Sequence, residues 1–161
     1  MRKPFVYVAA GAAFVAPLVL LLSDVLLILF ISEAGLLAQR AALAVFVVAL
    51  GGVAAFAGGR GQWQAAAGAG VAVLGTVAIV VRQSFLAAPI RPPAILLPLG
   101  LLVMAGALIG SRVSRRMAAL IGAGAILFPL AHQSGEPAAL ILTDLLWLVS
   151  FWSIGRAIMR S

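Results

Sequence analysis

Long apolar runs separated by short polar connections are the feature that most constrains this chain. The first run extends from Phe5 to Ile31 and contains one charged residue, Asp24. An α-helix of about 20 apolar residues crosses the hydrocarbon core of a bilayer. A surface helix of a soluble domain instead has an apolar stripe on one side and polar residues on the opposite side. The chain is therefore predicted to be an integral membrane protein.

Six apolar stretches qualify as membrane-spanning helices, two of them marginally because of their length. They are residues 5–31, 41–57, 65–81, 94–110, 117–131 and 138–155. The segments between them are rich in Gly, Pro, Ser and charged residues and predict loops, among them 32–35, 111–116 and 132–137. The predicted fold is all-α: one transmembrane domain over residues 1–161, forming a compact bundle of six transmembrane helices.

The composition excludes several other classes of protein. Hydrophobic residues make up 65% of the chain and charged residues 9%, whereas soluble domains carry about 25% charged residues. Cysteine is absent and there is one histidine, so we expect no disulfide, no cysteine nucleophile, no metal site and no cofactor. The net charge of +7 is distributed between apolar runs, which argues against a nucleic-acid partner.

The basic residues predict the orientation of the chain in the membrane. If the N-terminus is cytoplasmic and all six stretches cross, three basic residues lie outside: Arg40, Arg82 and Arg91. The other eight lie inside, namely Arg2, Lys3, Arg60, Arg112, Arg115, Arg116, Arg156 and Arg160. An excess of Lys and Arg on the cytoplasmic side is the general rule. If stretch 117–131 did not cross, the bias would fall to six against five. We therefore predict six spans and cytoplasmic termini.

The composition also suggests where such a protein resides. Ten of the 11 basic residues are arginine, and alanine is abundant, which is typical of proteins from GC-rich bacterial genomes. We expect the cytoplasmic (inner) membrane of a bacterium. The partners expected there are membrane lipids, a second copy of the chain in a homo-oligomer, or other membrane subunits.

The acidic residues and the histidine, His132, all fall in the outer half of this topology. Glu33 and Glu136 lie in predicted loops and are interpreted as solvated charges. Asp24 and Asp144 lie inside spans, about 10 Å from the outer ends at 1.5 Å per residue. A carboxylate that faces lipid at this depth costs several kcal/mol, so each should face the bundle, pair with a cation or take up a proton.

Stripes of small residues predict which other polar side chains face inward. In the third span, Gly68, Ala72 and Gly75 share one helix face with Arg82. Small residues allow a neighbouring helix to approach closely, so this face should point into the bundle together with Arg82. The fifth span has the same spacing and ends at His132. Its small residues are Ala118, Gly122 and Ala125, and similar pairs are Gly51 with Ala55 and Gly106 with Gly110.

Asp24, Arg82, His132 and Asp144 therefore form the candidate binding site, an outward-facing polar pocket. Such a pocket would suit a small polar solute, a lipid headgroup or a proton. The alternative is a structural ion-pair network in which Arg82 neutralises one aspartate and holds three helices together.

Three classes of function are compatible with this predicted group of polar residues. The first is a non-enzymatic transporter or membrane-complex subunit that uses the polar pocket. The second is a lipid-acting membrane enzyme with His132 as its base and an aspartate as orienting group. The third is a purely structural or assembly subunit. The sequence contains no nucleotide-binding loop and no His-Glu-x-x-His motif, so no catalytic residue is assigned and the first class is favoured.

Overall fold

The described part of the chain folds into six helices. A computed structural model describes residues 3–29, 32–58, 61–85, 95–111 and 113–160. The helices are α1 (Lys3–Ile28), α2 (Ser32–Ala57), α3 (Gln62–Phe85), α4 (Leu96–Leu108), α5 (Arg115–Ser134) and α6 (Pro137–Met159). No strand occurs in the described ranges. The all-α prediction and the six-helix architecture are confirmed.

The helices differ in their capacity to span a bilayer. Among the described residues, five are long and apolar enough to cross, and α4 is a shorter apolar helix. With 13 residues, α4 covers about 20 Å of a hydrocarbon core that is roughly 30 Å thick. The predicted distribution of basic residues depends on whether residues 117–131 cross the membrane. These residues lie within the 20-residue helix α5. The shortest helix is thus the fourth, and the fifth is long enough to cross.

Several predicted loops belong to helices. The loop prediction at 32–35 is wrong because α2 begins at Ser32, and α5 includes both Arg115 and the segment from His132 to Ser134. Hydropathy marks where the apolar core of a membrane ends, whereas a helix continues until its backbone is interrupted. At the ends of α2 and α5 the interruption is a glycine in the left-handed region, Gly58 with φ 59° and Gly135 with φ 67°.

The helices are arranged as a ring in chain order. Each packs against the next along the sequence, α6 closes the ring on α1, and α2 also touches α4 and α6. Helices α1 and α6 are antiparallel, since Gly155 near the end of α6 packs on Phe14 in the first half of α1. The start of α1 and the end of α6 therefore lie at one end of the bundle. The end of α1 and the start of α6 lie at the other.

The closest helix approach is between α3 and α4, where small residues meet backbone. A Cβ built on Gly68 would lie 2.5 Å from a backbone nitrogen of α4, and one on Gly75 would collide with the backbone at Leu97. Gly100 makes the reciprocal contact with the backbone of Ala72. Gly68, Ala72 and Gly75 are all buried. The inward face predicted for α3 is confirmed.

The small-residue predictions on α2 and α4 assign the wrong helix face. On α5 the predicted inward residues Ala118 and Ala125 are buried, as expected. Three of the predicted contact glycines are exposed and have no atom within 4 Å of a built Cβ: Gly51, Gly106 and Gly110. The close approaches fall instead at Gly52, which meets Ala9, and at Gly124, which meets the indole of Trp147. A Cβ on Gly122 would be 3.7 Å from the nearest side-chain atom, so this position has ordinary van der Waals room.

The antiparallel closure of the ring leads to a prediction about orientation. Since the start of α1 and the end of α6 share one end of the bundle, reporters at these two positions should lie on the same side of the membrane. From the basic residues we expect that side to be cytoplasmic. An enzyme reporter that works only in the periplasm should be active when fused after Glu33 or Ser134 and inactive when fused after Ser161. A periplasmic signal after Ser161 would contradict the predicted orientation.

Candidate functional site

A small cavity lies inside the ring, toward the end of the bundle where α1 ends and α6 begins. Its volume is about 20 Å³. All six helices contribute to its lining. The polar lining residues are Asp24, Gln39, His132 and Asp144, and the apolar ones are Leu20, Leu43, Phe46, Ile79, Leu97, Phe128 and Trp147. A buried water needs about 10 to 15 Å³ measured in this way, so the cavity has room for one water-sized group.

The central feature of the cavity is a pair of carboxyl groups, one from each helix that closes the ring. Asp24 of α1 is 8% exposed and Asp144 of α6 is 4% exposed. Both carboxyl groups line the same cavity of about 20 Å³. Two buried carboxylates that lie close together repel each other, so ionisation of one disfavours ionisation of the other. Below, Asp24 and Asp144 together are called the carboxyl pair.

Hydroxyl groups next to both aspartates fix the local backbone. The Ser23 hydroxyl donates to the carbonyl oxygen of Gly35 at 3.1 Å, which ties α1 to α2. Gly35 allows this contact because a Cβ there would lie 2.7 Å from the side chain of Leu27. On α6, the Thr143 hydroxyl donates to the carbonyl oxygen of Ala139 at 2.9 Å within its own helix. The hydroxyl beside Asp24 thus joins α1 to α2, and the hydroxyl beside Asp144 bonds to the backbone of its own helix.

His132 lies in the last turn of α5 at the edge of the cavity and is half-buried. Its Nδ1 is 3.0 Å from the carbonyl oxygen of Phe128. Since a carbonyl only accepts, Nδ1 carries the hydrogen and Nε2 is the nitrogen that can take up a proton. The imidazole also packs on the Phe128 ring, with 4.2 Å between the centroids, and interacts electrostatically with Asp24.

Aromatic side chains close the cavity on its deeper side. Trp147, which follows Asp144 by one helical turn, is 2% exposed. Its indole packs on Phe128 and on Phe46, at centroid distances of 5.4 and 5.8 Å. Trp147 therefore joins α6 to α2 and α5. Its Nε1 has no hydrogen-bond partner in the part of the chain that the structure describes.

Comparison with known proteins gives no independent indication of function. The chain matches no protein-family model, no curated protein and no solved structure. The function has to be argued from the geometry of the cavity.

The structure brings three of the four predicted site residues together. Asp24, His132 and Asp144 line the cavity, whereas the side chain of Arg82 lies outside the described residues. A role for Arg82 beside an aspartate stays a prediction. Sequence reasoning missed Gln39, because residues before 41 were assigned to a connection. Continuing the second helix backward would have found it, since 39, 43 and 46 share one helix face.

The remaining acidic residues at this end of the bundle stay in solvent. Glu33 in the first turn of α2 and Glu136 at the start of α6 are both exposed. Among the described residues, no group of three His, Cys, Asp or Glu side chains could hold a metal ion. The chemistry available at the cavity is therefore that of two carboxyl groups, an imidazole and an amide.

Proposed function

We propose that this chain is a non-enzymatic, proton-binding membrane protein, acting as a small transporter or as a subunit of a membrane complex. The carboxyl pair binds the proton, and His132 exchanges it with the outer solution. One observation carries the proposal: two carboxyl groups, each more than nine-tenths buried, line the same small cavity inside a membrane bundle. Like charges buried so close together repel each other, so we expect the pair to hold a proton.

The size of the cavity selects the proton among the ligands considered for this site. Pockets that bind small organic molecules typically have volumes of about 300 to 1,000 Å³, whereas this cavity measures about 20 Å³. A polar solute or a lipid headgroup would have to separate the helices before entering. A proton needs only an acceptor and a short path.

The grouping of the two aspartates also argues against a purely structural role. A structural ion pair joins opposite charges, and even then a buried pair often stabilises a protein less than apolar residues of the same volume. Here Asp144 shares its cavity with a second carboxyl group. Ionisable residues inside the membrane are costly and are generally retained for function. The arrangement is better explained by proton binding than by stability.

The geometry gives little support to a lipid-acting enzyme. In that alternative, His132 would act as a base oriented by an aspartate. The hydrogen bond that His132 makes is with the Phe128 carbonyl oxygen of its own helix. Its interaction with Asp24 is electrostatic, and the cavity is too small for a lipid ester.

We further propose that the protein resides in the cytoplasmic membrane of a bacterium, with the start of α1 and the end of α6 in the cytoplasm. The distribution of basic residues supports this orientation. His132 and the carboxyl pair then lie toward the periplasmic side, so that the site takes up protons from that compartment.

Infrared spectroscopy tests the bound proton directly. A protonated carboxyl group has a carbonyl stretching band that is well separated from the bands of a carboxylate. We expect this band in the purified protein in lipid nanodiscs at neutral pH, with a shift in deuterated buffer. It should disappear in the double variant Asp24→Asn and Asp144→Asn.

The matched controls are the exposed glutamates of the same end of the bundle. Glu33→Gln and Glu136→Gln remove carboxyl groups that are already in solvent, so both variants should retain the band. A wild-type protein without a protonated carboxyl band at neutral pH would overturn the proposed function.

A further inference from the structure

We infer that the cavity binds one water molecule, which bridges the carboxyl pair to His132. The relay role of this water rests on the proposed function, whereas the binding site itself rests on the geometry of the cavity. The site combines a volume, a buried polar atom that needs a partner, and polar groups on three helices around it.

The volume and the polar lining both fit a single water molecule. About 20 Å³ is available, and a buried water occupies about 10 to 15 Å³ and makes two to four hydrogen bonds. Asp144 Oδ2 is buried and has no hydrogen-bond partner among the described residues. Asp24, His132 and Gln39 line the same cavity. Burying an acceptor without a partner is unfavourable, so Asp144 Oδ2 provides the reason for a water to bind.

The position of His132 explains why a bridge is needed. Its Nδ1 is engaged with the Phe128 carbonyl oxygen, and the ring packs on the Phe128 side chain. In the part of the chain that the structure describes, the imidazole makes no hydrogen bond with either aspartate, although it interacts electrostatically with Asp24. A water molecule between Nε2 of His132 and the carboxyl pair can hydrogen-bond to both.

The lining favours water over a bound cation. Seven of the 11 lining residues are apolar, including Leu20, Phe46 and Ile79. Hard cations such as Ca²⁺ and Mg²⁺ require about six or more oxygen ligands, which four polar side chains, one of them an imidazole, do not supply. No cluster of metal-binding character occurs in the described residues. A neutral water is satisfied with the few polar groups present.

The relay step conserves protons and charge. Protonated His132 donates its Nε2 proton to the oxygen of the water, and the same water releases one of its own protons to a carboxylate oxygen of the pair. The imidazole returns to its neutral form, the water is regenerated, and the carboxyl pair has gained one proton. The reverse sequence releases the proton.

Filling the cavity without altering a titratable group tests the inference. Leu43→Phe adds volume from α2, and Leu50→Phe is its matched control, because Leu50 is also buried, lies two turns further along the same helix face, and does not line the cavity. A second pair of variants on α4 keeps the test valid if Leu43→Phe does not fold. Leu97→Phe fills the cavity, and Leu101→Phe is its control because Leu101 is buried and does not line the cavity.

Two measurements are made on each variant. The first is the infrared O–H stretching region in ordinary water and in ¹⁸O-labelled water, which identifies bound water by its isotope shift. The second is the rate at which the protonated carboxyl band responds to a rapid change of pH. We expect an isotope-sensitive water band in the wild type and in both controls, and its loss in Leu43→Phe and Leu97→Phe. The response should also slow by at least about tenfold in the filled variants, as when a proton-transfer group is removed.

The outcomes separate this inference from the proposed function. A carboxyl band that persists in the filled variants, together with loss of the water band and slower exchange, supports the water relay. A carboxyl band without an isotope-sensitive water band in the wild type overturns the water site and leaves the proton site intact. An unchanged exchange rate in both filled variants overturns the relay role. Absence of the carboxyl band in the wild type overturns the proposed function instead.

Discussion

Replacing Gly75 by leucine should destabilise the protein by at least about 3 kcal/mol, the upper range for overpacking a core. The site of Gly75 is in contact with the α4 backbone at Leu97, so any side chain must push the two helices apart. Lipid offers no hydrophobic driving force to compensate, and helix association in membranes depends on close packing. Thermal unfolding of the detergent-solubilised variant measures the effect.

Gly70 on the same helix is the matched control. It is exposed and has no atom within 4 Å of a built Cβ, so Gly70→Leu should change the unfolding temperature little. Replacement by alanine should change the stability in opposite directions at the two positions. Gly70→Ala should stabilise α3 by about 0.5 to 1 kcal/mol through reduced backbone entropy, whereas Gly75→Ala should destabilise it. Equal losses at the two positions would show that the α3–α4 contact is misplaced.

Asp24→Asn and Asp144→Asn should each lower proton uptake by at least about a hundredfold, as expected when an essential proton-transfer group is lost. Asparagine preserves the volume and can donate a hydrogen bond to the remaining carboxylate, so the fold should tolerate the change. Uptake is measured in proteoliposomes that contain a pH-sensitive dye, after an imposed pH difference and membrane potential. The control is Glu33→Gln, which should match the wild type.

The structural ion-pair alternative predicts a different pattern for the same variants. If Arg82 neutralises one aspartate, removing that charge should cost about 3 to 5 kcal/mol of stability, and adding Arg82→Gln should restore much of the loss. Proton binding predicts stable single variants and no rescue. Two Asn variants that retain both wild-type stability and wild-type proton uptake would refute a working site. A wild type that binds the proton but shows no uptake would favour the membrane-complex subunit over the transporter.

The fold was predictable because a bilayer imposes a length on every crossing segment. Six apolar runs gave six helices, and the inward face of α3 followed from Gly68, Ala72 and Gly75. Spacing failed on α2 and α4, where Gly51, Gly106 and Gly110 are exposed. On α5 it found the buried face but not the close contact at Gly124. In an alanine-rich helix several faces carry small residues, so the contacting face is decided by the neighbouring helix, and the sequence of one helix does not contain that information.

Most of the polar side chains at the cavity were predictable from the sequence, but their arrangement was less so. Asp24 and Asp144 were singled out because carboxyl groups inside a membrane span need an explanation. That both line one cavity depends on the packing of α6 against α1, which follows from the closure of the whole ring and leaves no local pattern. The bond of His132 Nδ1 to the Phe128 carbonyl oxygen likewise depends on α5 continuing beyond residue 131.

The ring closure has a consequence for how the protein is made. Asp24 enters the membrane with α1, but its partner Asp144 belongs to a helix synthesised about 120 residues later, which at typical ribosomal rates is on the order of 10 s. During that interval the Asp24 carboxyl group lacks the helix that completes its cavity. A carboxyl group that faces lipid is costly, so chains interrupted before α6 should be less stable in the membrane than complete ones.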